Sequence, residues 1–96
     1  MLEIRPTCEN CNTALPIDSE EAMICTFECT FCKTCVEEIL HNVCPNCSGG
    51  FVNRPIRPKK YHDKYPASEK VVYKPVDMEK FQVLLDANKG IKPVER

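Results

Sequence analysis

The chemistry that this sequence offers lies in eight cysteines, which form four short pairs before residue 48. A C-x-x-C turn brings two thiolates to one side of a tight loop, as structural zinc sites require. Disulfide frameworks favour cysteines that close long loops instead. We therefore predict two zinc ions, each held by four thiolates. The pairs are Cys8–Cys11, Cys25–Cys29, Cys32–Cys35 and Cys44–Cys47.

Four thiolates complete the coordination of zinc, whereas catalytic zinc keeps one position open for water or substrate. The sequence also lacks a phosphate-binding loop and any nucleophile–histidine–acid arrangement. We therefore expect a protein that is not an enzyme. Eight cysteines satisfy both metals, so we expect neither His41 nor His62 to be a ligand.

The beginning of the chain, Met-Leu-Glu-Ile-Arg-Pro, has neither the charged nor the apolar segment of a secretory signal. No apolar run approaches the length that crosses a bilayer. We therefore expect a cytoplasmic protein without membrane contact, in a reducing compartment where thiolates stay available to zinc. Oxidation of the thiolates with metal release is a less favoured alternative.

The four pairs can combine sequentially, first with second and third with fourth, or in a crossed pattern. Only Thr30 and Phe31 separate the second pair from the third. In a crossed pattern this short segment bridges two separate metals, so the spacing favours that arrangement. It assigns Cys8, Cys11, Cys32 and Cys35 to zinc 1 and Cys25, Cys29, Cys44 and Cys47 to zinc 2.

Residues 8–52 resemble the RING-type cross-brace zinc finger. Phe31 precedes the fifth ligand and Val36 follows the sixth, where that family has core residues, and Cys44-Pro45-Asn46-Cys47 resembles its final knuckle. Cys29 departs from the histidine that is commonest there. LIM domains pair their ligands sequentially but have longer outer loops. The resemblance implies a small metal-stabilised α+β fold with crossed ligation.

A second resemblance covers most of the chain. Residues 1–8, 25–32 and 53–58 are similar to a family of small bacterial proteins catalogued as domain of unknown function 1272. This resemblance implies a bacterial source and a cysteine-rich metal-binding fold, and it implies no activity.

The cysteine region contains short elements that would position the ligands. Ala22-Met23-Ile24 predicts a strand, and Val36, Ile39 and Leu40 have the i, i+3, i+4 spacing of a two-turn helix. We expect Gly49-Gly50 to let a backbone N–H approach a sulfur. The apolar side chains are few, so we expect the metal to maintain the fold. The expected core residues of this region are Leu15, Ile24, Phe27, Phe31, Val36, Ile39, Leu40 and Phe51.

The remaining sequence predicts a linker and a C-terminal unit. Residues 1–52 form the zinc domain, residues 53–70 are a proline-rich basic linker, and residues 71–96 contain a strand and a helix. Val71-Val72-Tyr73 predicts the strand. Asp77 is the expected helix N-cap, and Gly90 follows the expected end. The helix stripe of Met78, Phe81, Leu84 and Leu85 would pack on the zinc domain or on a partner.

Charge divides the chain, because residues 1–48 have a net charge of −6 and residues 49–96 a net charge of +5. The basic half either attracts the acidic half or contacts nucleic acid. The nucleic-acid alternative relies on a cluster of basic and aromatic side chains: Arg54, Arg57, Lys59, Lys60, Lys64, Tyr61 and Tyr65.

A ubiquitin-ligase-like adaptor is a further alternative that the RING resemblance raises. That activity uses four positions, which here hold Asn10, Ile39, Pro45 and Ser48. Asn10 replaces an aliphatic residue and Ser48 replaces a basic one, so two of the four are missing. We therefore expect a protein-interaction module, either a monomer or a weak homodimer, whose partner the sequence does not identify.

Overall fold

The structure is a computed structural model that describes residues 1–96. A three-stranded antiparallel sheet lies within the cysteine region, in the order β2-β1-β3. Met23 pairs with Phe31 on one side of β1 and with Asn53 on the other. The predicted strand at residues 22–24 is confirmed. The strands are β1 (Ala22–Ile24), β2 (Thr30–Cys32) and β3 (Val52–Asn53).

The segment Cys35–Leu40 is helical, as predicted, but it is wound more widely than an α-helix. The N–H of His41 binds the carbonyl of Val36, five residues earlier, instead of the usual four. His41 and Asn42 then adopt left-handed backbone conformations, with φ of 49° and 62°, and end the segment. Its buried side chains, Val36 and Leu40, face the core.

The prediction of a strand at Val71–Tyr73 is wrong, because the fold has no C-terminal strand. β2 and β3 occupy both edges of β1. The outer edge of β2 is also used, because the N–H of Glu9 donates to the carbonyl of Thr30 at 3.0 Å. The C-terminal segment reaches Glu9 through one backbone hydrogen bond, from the N–H of Lys74 to the carbonyl of Glu9 at 2.8 Å, and Val71–Tyr73 form no ladder with a neighbouring strand.

The predicted C-terminal helix is confirmed as α1 (Met78–Asn88). The Asp77 carboxylate accepts hydrogen bonds from the N–H groups of Glu79 and Lys80, which makes it the N-cap. After the helix, the N–H of Ile91 donates to the carbonyl of Asn88 at 3.0 Å. Gly90 has φ of 80° in this turn, the third position of a type II turn, where glycine is favoured.

α1 packs on the cysteine region of its own chain. Phe81 and Leu85 are 3% and 5% exposed, and they belong to the same core cluster as Phe31 and the buried cysteines. Met78 was expected on the same face but is 47% exposed, because it lies at the first turn of the helix, beyond the core. The cysteine region and the helix therefore share one core.

The core of the cysteine region contains an aromatic pair. The rings of Phe31 and Phe51 meet edge to face, with centroids 5.4 Å apart. Phe27 was expected in this core but is 71% exposed. It lies in the turn between Cys25 and Cys29, where the N–H of Glu28 donates to the carbonyl of Cys25 and Glu28 has φ of 63°. This turn directs Phe27 away from the core.

Asn53 was expected at the start of the linker but belongs to β3, and residues 54–70 have little regular structure apart from a 3₁₀ turn at Lys59–Tyr61. A second 3₁₀ turn, Pro93–Glu95, lies near the C-terminus. It packs closely against Gly50, because a Cβ atom added at Gly50 would lie only 2.8 Å from the Pro93 side chain. The longest helix has 11 residues, and none of the helices is both long and apolar enough to cross a bilayer.

Candidate metal centres

The first and last cysteine pairs have closely similar backbone turns. The N–H of Asn12 donates to the carbonyl of Cys8 at 3.0 Å, and the N–H of Ser48 donates to the carbonyl of Cys44 at 2.8 Å. Asn12 and Ser48 are both left-handed, with φ of 62° and 67°. A left-handed residue directly after the second cysteine closes each turn and keeps both sulfurs of the pair on one side.

One group of four sulfur atoms comes from the first and third pairs. Their Sγ atoms all lie within 4.8 Å of one another, in the set Cys8, Cys11, Cys32 and Cys35. β2 positions Cys32, and the helical segment begins at Cys35. Four ligands at about 2.3 Å from a tetrahedral zinc are about 3.8 Å from one another. The Cys11 and Cys32 Sγ atoms are 3.7 Å apart, so this group fits a zinc tetrahedron.

A second group combines cysteines from the second and fourth pairs. The Sγ atoms of Cys25, Cys44 and Cys47 lie within 4.8 Å of one another, and Cys29 is not part of this group. Burial raises the pKa of Cys29, and the neighbouring Cys25 thiol and Glu9 carboxylate raise it further. Cys29 therefore lies beside the group of three. Its pair has three intervening residues instead of two, which gives a wider turn.

Most thiols in both groups are shielded from water. Burial raises the pKa of Cys32, Cys35 and Cys44. Burial also raises the pKa of Cys11, but hydrogen bonds with Thr13 and with neighbouring thiols outweigh it and lower that pKa to about 7. Without metal, the buried thiols stay protonated at neutral pH, so a bound cation must displace their protons.

Backbone N–H groups approach the sulfur atoms in both groups. The N–H of Cys35 is directed at Cys32 Sγ with an N–S distance of 3.5 Å, and the N–H of Gly49 is 3.4 Å from Cys47 Sγ. A Cβ atom at Gly49 would lie only 3.3 Å from that sulfur. The expectation that a glycine here allows an N–H to approach a sulfur is confirmed for Gly49.

Two asparagines support the sulfur groups, and the sequence interpretation did not predict their role. Asn10 donates to Cys35 Sγ at 3.4 Å, and a hydrogen bond from Asn46 opposes the rise of the Cys29 pKa. Their carbonyl oxygens face the C-terminal segment: Asn10 accepts from the Val76 N–H at 3.0 Å, and Asn46 from Lys74 Nζ at 3.5 Å. Both occupy the third position of a C-x-N-C turn, a shared signal that could have identified them.

Glu9 is a further residue whose role was missed. It is 3% exposed, and its carboxylate accepts hydrogen bonds from the Thr30 N–H at 3.1 Å and from Arg5 Nη1 at 3.2 Å. Its other oxygen accepts from Asn46 Nδ2 at 3.3 Å. Glu9 thereby connects the first cysteine turn with β2 and with the last cysteine turn.

The two arginines of the basic segment donate hydrogen bonds to backbone carbonyls of their own chain. Arg54 is 3% exposed and donates to backbone carbonyls of the N-terminal region. Arg57 donates to the carbonyls of Leu2 and Tyr65, each at 2.7 Å. Both salt bridges of the structure instead join Arg5 to glutamates of the acidic half. The two halves are therefore joined by guanidinium–carbonyl contacts and not by ion pairs.

Neither histidine belongs to a sulfur group. His41 is exposed and follows the last residue of the helical segment. His62 Nε2 lies 2.6 Å from the carbonyl oxygen of Arg57, which occupies that ring nitrogen. The surroundings of both residues are those of structural positions.

Comparison with known proteins gives two matches. The sequence model of a family described as "Protein of unknown function (DUF1272)" matches residues 1–57, which contain every cysteine. An uncharacterized protein of Rhizobium meliloti (strain 1021) is 57% identical over 75 residues, which are 78% of this chain and 89% of that relative. No solved structure matches the chain.

Proposed function

We propose that this chain, which belongs to the DUF1272 family, is a two-zinc module with RING-like crossed ligation that acts by binding another protein. The observation that carries the proposal is the group of four sulfur atoms drawn from the first and third cysteine pairs. Sulfur ligands at tetrahedral spacing favour zinc over the hard cations, which bind oxygen.

The second zinc would use Cys25, Cys44 and Cys47 with Cys29 as its fourth ligand. Cys25 and Cys29 both affect the pKa of Cys44, which supports a set of four neighbouring thiols. A tetrahedral second site requires the Cys29 sulfur to approach the other three sulfur atoms. Both sites are then closed by four thiolates, which supports a structural role for the metals and a protein that is not an enzyme.

The alternatives have less support than an interaction module. The nucleic-acid alternative loses two of its five predicted basic contacts, because Arg54 and Arg57 donate to carbonyls of their own chain. A ligase-like role would need the surface around Asn10 and Pro45. Asn10 binds Val76 of the C-terminal segment, and Pro45 lines a cavity of about 310 Å³ together with Phe81 of α1.

The zinc proposal is tested by elemental analysis and by NMR of the cadmium-loaded chain. We expect two metal ions per chain, with proton–cadmium correlations that link Cys8 and Cys35 to one metal and Cys29 and Cys44 to the other. Cys32→Ser should lower the metal content, and His41→Ala should leave it unchanged. A shared metal for Cys8 and Cys25 would contradict crossed ligation.

The interaction role is tested by affinity capture from a bacterial lysate with the zinc-loaded chain. We expect a discrete protein that is retained after nuclease treatment and is lost when Cys44→Ser replaces the wild-type chain. Loss of the captured protein after nuclease treatment would contradict the proposal and favour nucleic-acid binding.

A further inference from the structure

An apolar groove lies on the side of the molecule formed by the N-terminal residues and the basic segment. It has a volume of about 550 Å³, within the range of ligand-binding clefts. Its exposed walls include Ile56 and Tyr61, which are 47% and 43% exposed. We call it the N-terminal groove, and its apolar lining includes Leu2, Ile4, Ile56, Pro58, Tyr61 and Tyr65.

The N-terminal groove is held open by polar contacts beneath it. One guanidinium nitrogen of Arg57 donates to the carbonyl of Leu2 and another to that of Tyr65, so a single side chain connects two walls. The carbonyl of Arg57 is in turn 2.6 Å from His62 Nε2. Pro55 and Pro58 flank this arginine and restrict the backbone. A preformed groove binds a ligand with little ordering cost.

The charge around the N-terminal groove is positive. Residues 55–65 carry four basic side chains and one acidic side chain, Asp63. Lys60 Nζ lies 5.2 Å from the centre of the Tyr61 ring, and Lys64 Nζ lies 5.4 Å from that of Tyr65. Both ammonium groups are thus adjacent to rings that line the groove. An occupant with apolar anchors between carboxylates would complement this surface.

We propose that the N-terminal groove binds an acidic peptide segment with aliphatic or aromatic anchors, supplied by a partner protein. This inference rests on the proposed interaction function and assigns that function a surface. The apolar side chains of the peptide enter between Ile56 and Tyr61, and its carboxylates pair with Lys60 and Lys64. The metal sites maintain the scaffold and do not contact the peptide.

A peptide fits this groove better than a nucleic acid does. The planes of Tyr61 and Tyr65 are inclined by 59°, and their rings already contact lysines, so they do not form a parallel platform for bases. The guanidinium of Arg57 donates to backbone carbonyls, so those N–H groups are not available to the phosphates of a nucleic acid.

The test uses the zinc-loaded full chain and three fluorescein-labelled peptides. The first has the sequence Asp-Glu-Leu-Asp-Phe-Glu-Asp-Leu, the second has lysine at every acidic position, and the third has serine at every apolar position. We expect the first to bind at least about tenfold more tightly than either control. Nitrogen–proton NMR spectra should change at Ile56 and Tyr61.

Variants with matched controls identify the surface. Ile56→Ser and Lys60→Glu should each weaken binding of the first peptide about fivefold or more. Val83→Ser and Lys92→Glu make the matching aliphatic-to-serine and charge-reversing changes at exposed positions outside the groove, and they should leave binding unchanged. Equal effects of groove and control variants, or spectral changes elsewhere, would overturn the proposal.

The same zinc-loaded chain and its variants distinguish the peptide from other possible occupants of the groove. Stronger binding of a poly-dT oligonucleotide or of phosphatidylglycerol vesicles than of the acidic peptide would overturn the inference, and so would a concentration-dependent dimer that Ile56→Ser abolishes. If the chain contains two zinc ions but binds no peptide, the groove assignment fails alone. If it contains no zinc, the proposed function fails first.

Discussion

The guanidinium of Arg54 joins three backbone positions of the N-terminal region through hydrogen bonds to carbonyl oxygens. The acceptors are Arg5 at 2.8 Å, Leu15 at 3.2 Å and Pro16 at 2.8 Å. Desolvation lowers the pKa of Arg54, yet no carboxylate pairs with it. The carbonyl dipoles replace water around the buried charge, and the planar arginine fork can reach all three where lysine cannot.

Arg54→Ala should therefore destabilise the zinc-loaded protein by about 3 kcal/mol, because it leaves buried carbonyls without donors. The free energy of unfolding in urea measures the effect. Arg54→Lys should recover only part of the loss, and Lys59→Ala, at an exposed position, should change little. An Arg54→Ala chain with wild-type stability would contradict the structural role.

The protonation of the cysteines makes metal binding depend on pH. Burial raises the pKa of Cys35 and Cys44, so these thiols bind protons more tightly in the folded metal-free chain than in model peptides. Zinc must displace those protons, so falling pH favours the metal-free chain and rising pH favours the complex. We expect apparent zinc affinity to rise between pH 6 and pH 9, about tenfold per pH unit for each proton displaced. Competition with a chelator measures it, and an affinity independent of pH would refute thiolate ligation.

At the scale of elements, β2 connects Cys32 of the first sulfur group with Cys29, the proposed fourth ligand of the second. It begins directly after Cys29 and ends at Cys32, and Phe31 between them is 1% exposed. Phe31→Ala should cost about 3–5 kcal/mol, because a cavity replaces the aromatic contact with Phe51. Cadmium NMR should show perturbed signals from both metals, whereas Phe27→Ala, at an exposed position, should perturb neither strongly. A change confined to one metal would contradict the bridging role.

The start of α1 depends on one side chain. Asp77→Ala removes the acceptor for the N–H groups of Glu79 and Lys80 and should cost about 1 kcal/mol. Thermal unfolding of the zinc-loaded chain measures the loss. Asp86→Ala removes the same charge from the same helix without a cap and should cost less. Equal effects of the two variants would show that charge, and not capping, stabilises the helix.

The sequence predicted local features better than contacts between distant segments. β1 and the Asp77 cap could be predicted because a few neighbouring residues determine them. Val71–Tyr73 has strand-forming residues, but whether a sheet edge is free depends on β3 and Glu9. The burial of Arg54 depends on carbonyls about 40 residues away, which no local pattern reveals.

At the scale of the whole molecule, the cysteines that could hold metal form a large part of the core. The main core cluster has 15 buried residues, and six of them, Cys29 included, are cysteines among the eight predicted ligands. If zinc is bound as proposed, its removal would leave buried thiols in place of thiolate–zinc bonds, and few large apolar contacts would remain. A structural zinc contributes on the order of 10–16 kcal/mol, more than a typical domain's whole stability.

A strong chelator should therefore collapse the NMR dispersion of residues 8–52, and added zinc should restore it. α1 should lose its protection at the same time, because Phe81 and Leu85 share the core with the cysteines. Wild-type chain treated with calcium-saturated chelator is the control. A native spectrum with both metals removed would contradict a metal-dependent fold.

The two asparagines of the C-x-N-C turns connect the metal sites with the resistance of the protein to degradation. Each amide contacts a cysteine on one side and the segment 74–76 on the other. Under the two-zinc proposal, loss of a metal would free the sulfur atoms and leave these amides without fixed partners, so the C-terminal segment would detach and expose Phe81. Proteases cleave segments that have detached and become locally unfolded. Copies made when zinc is scarce would be degraded, and the abundance of the protein would follow the zinc supply.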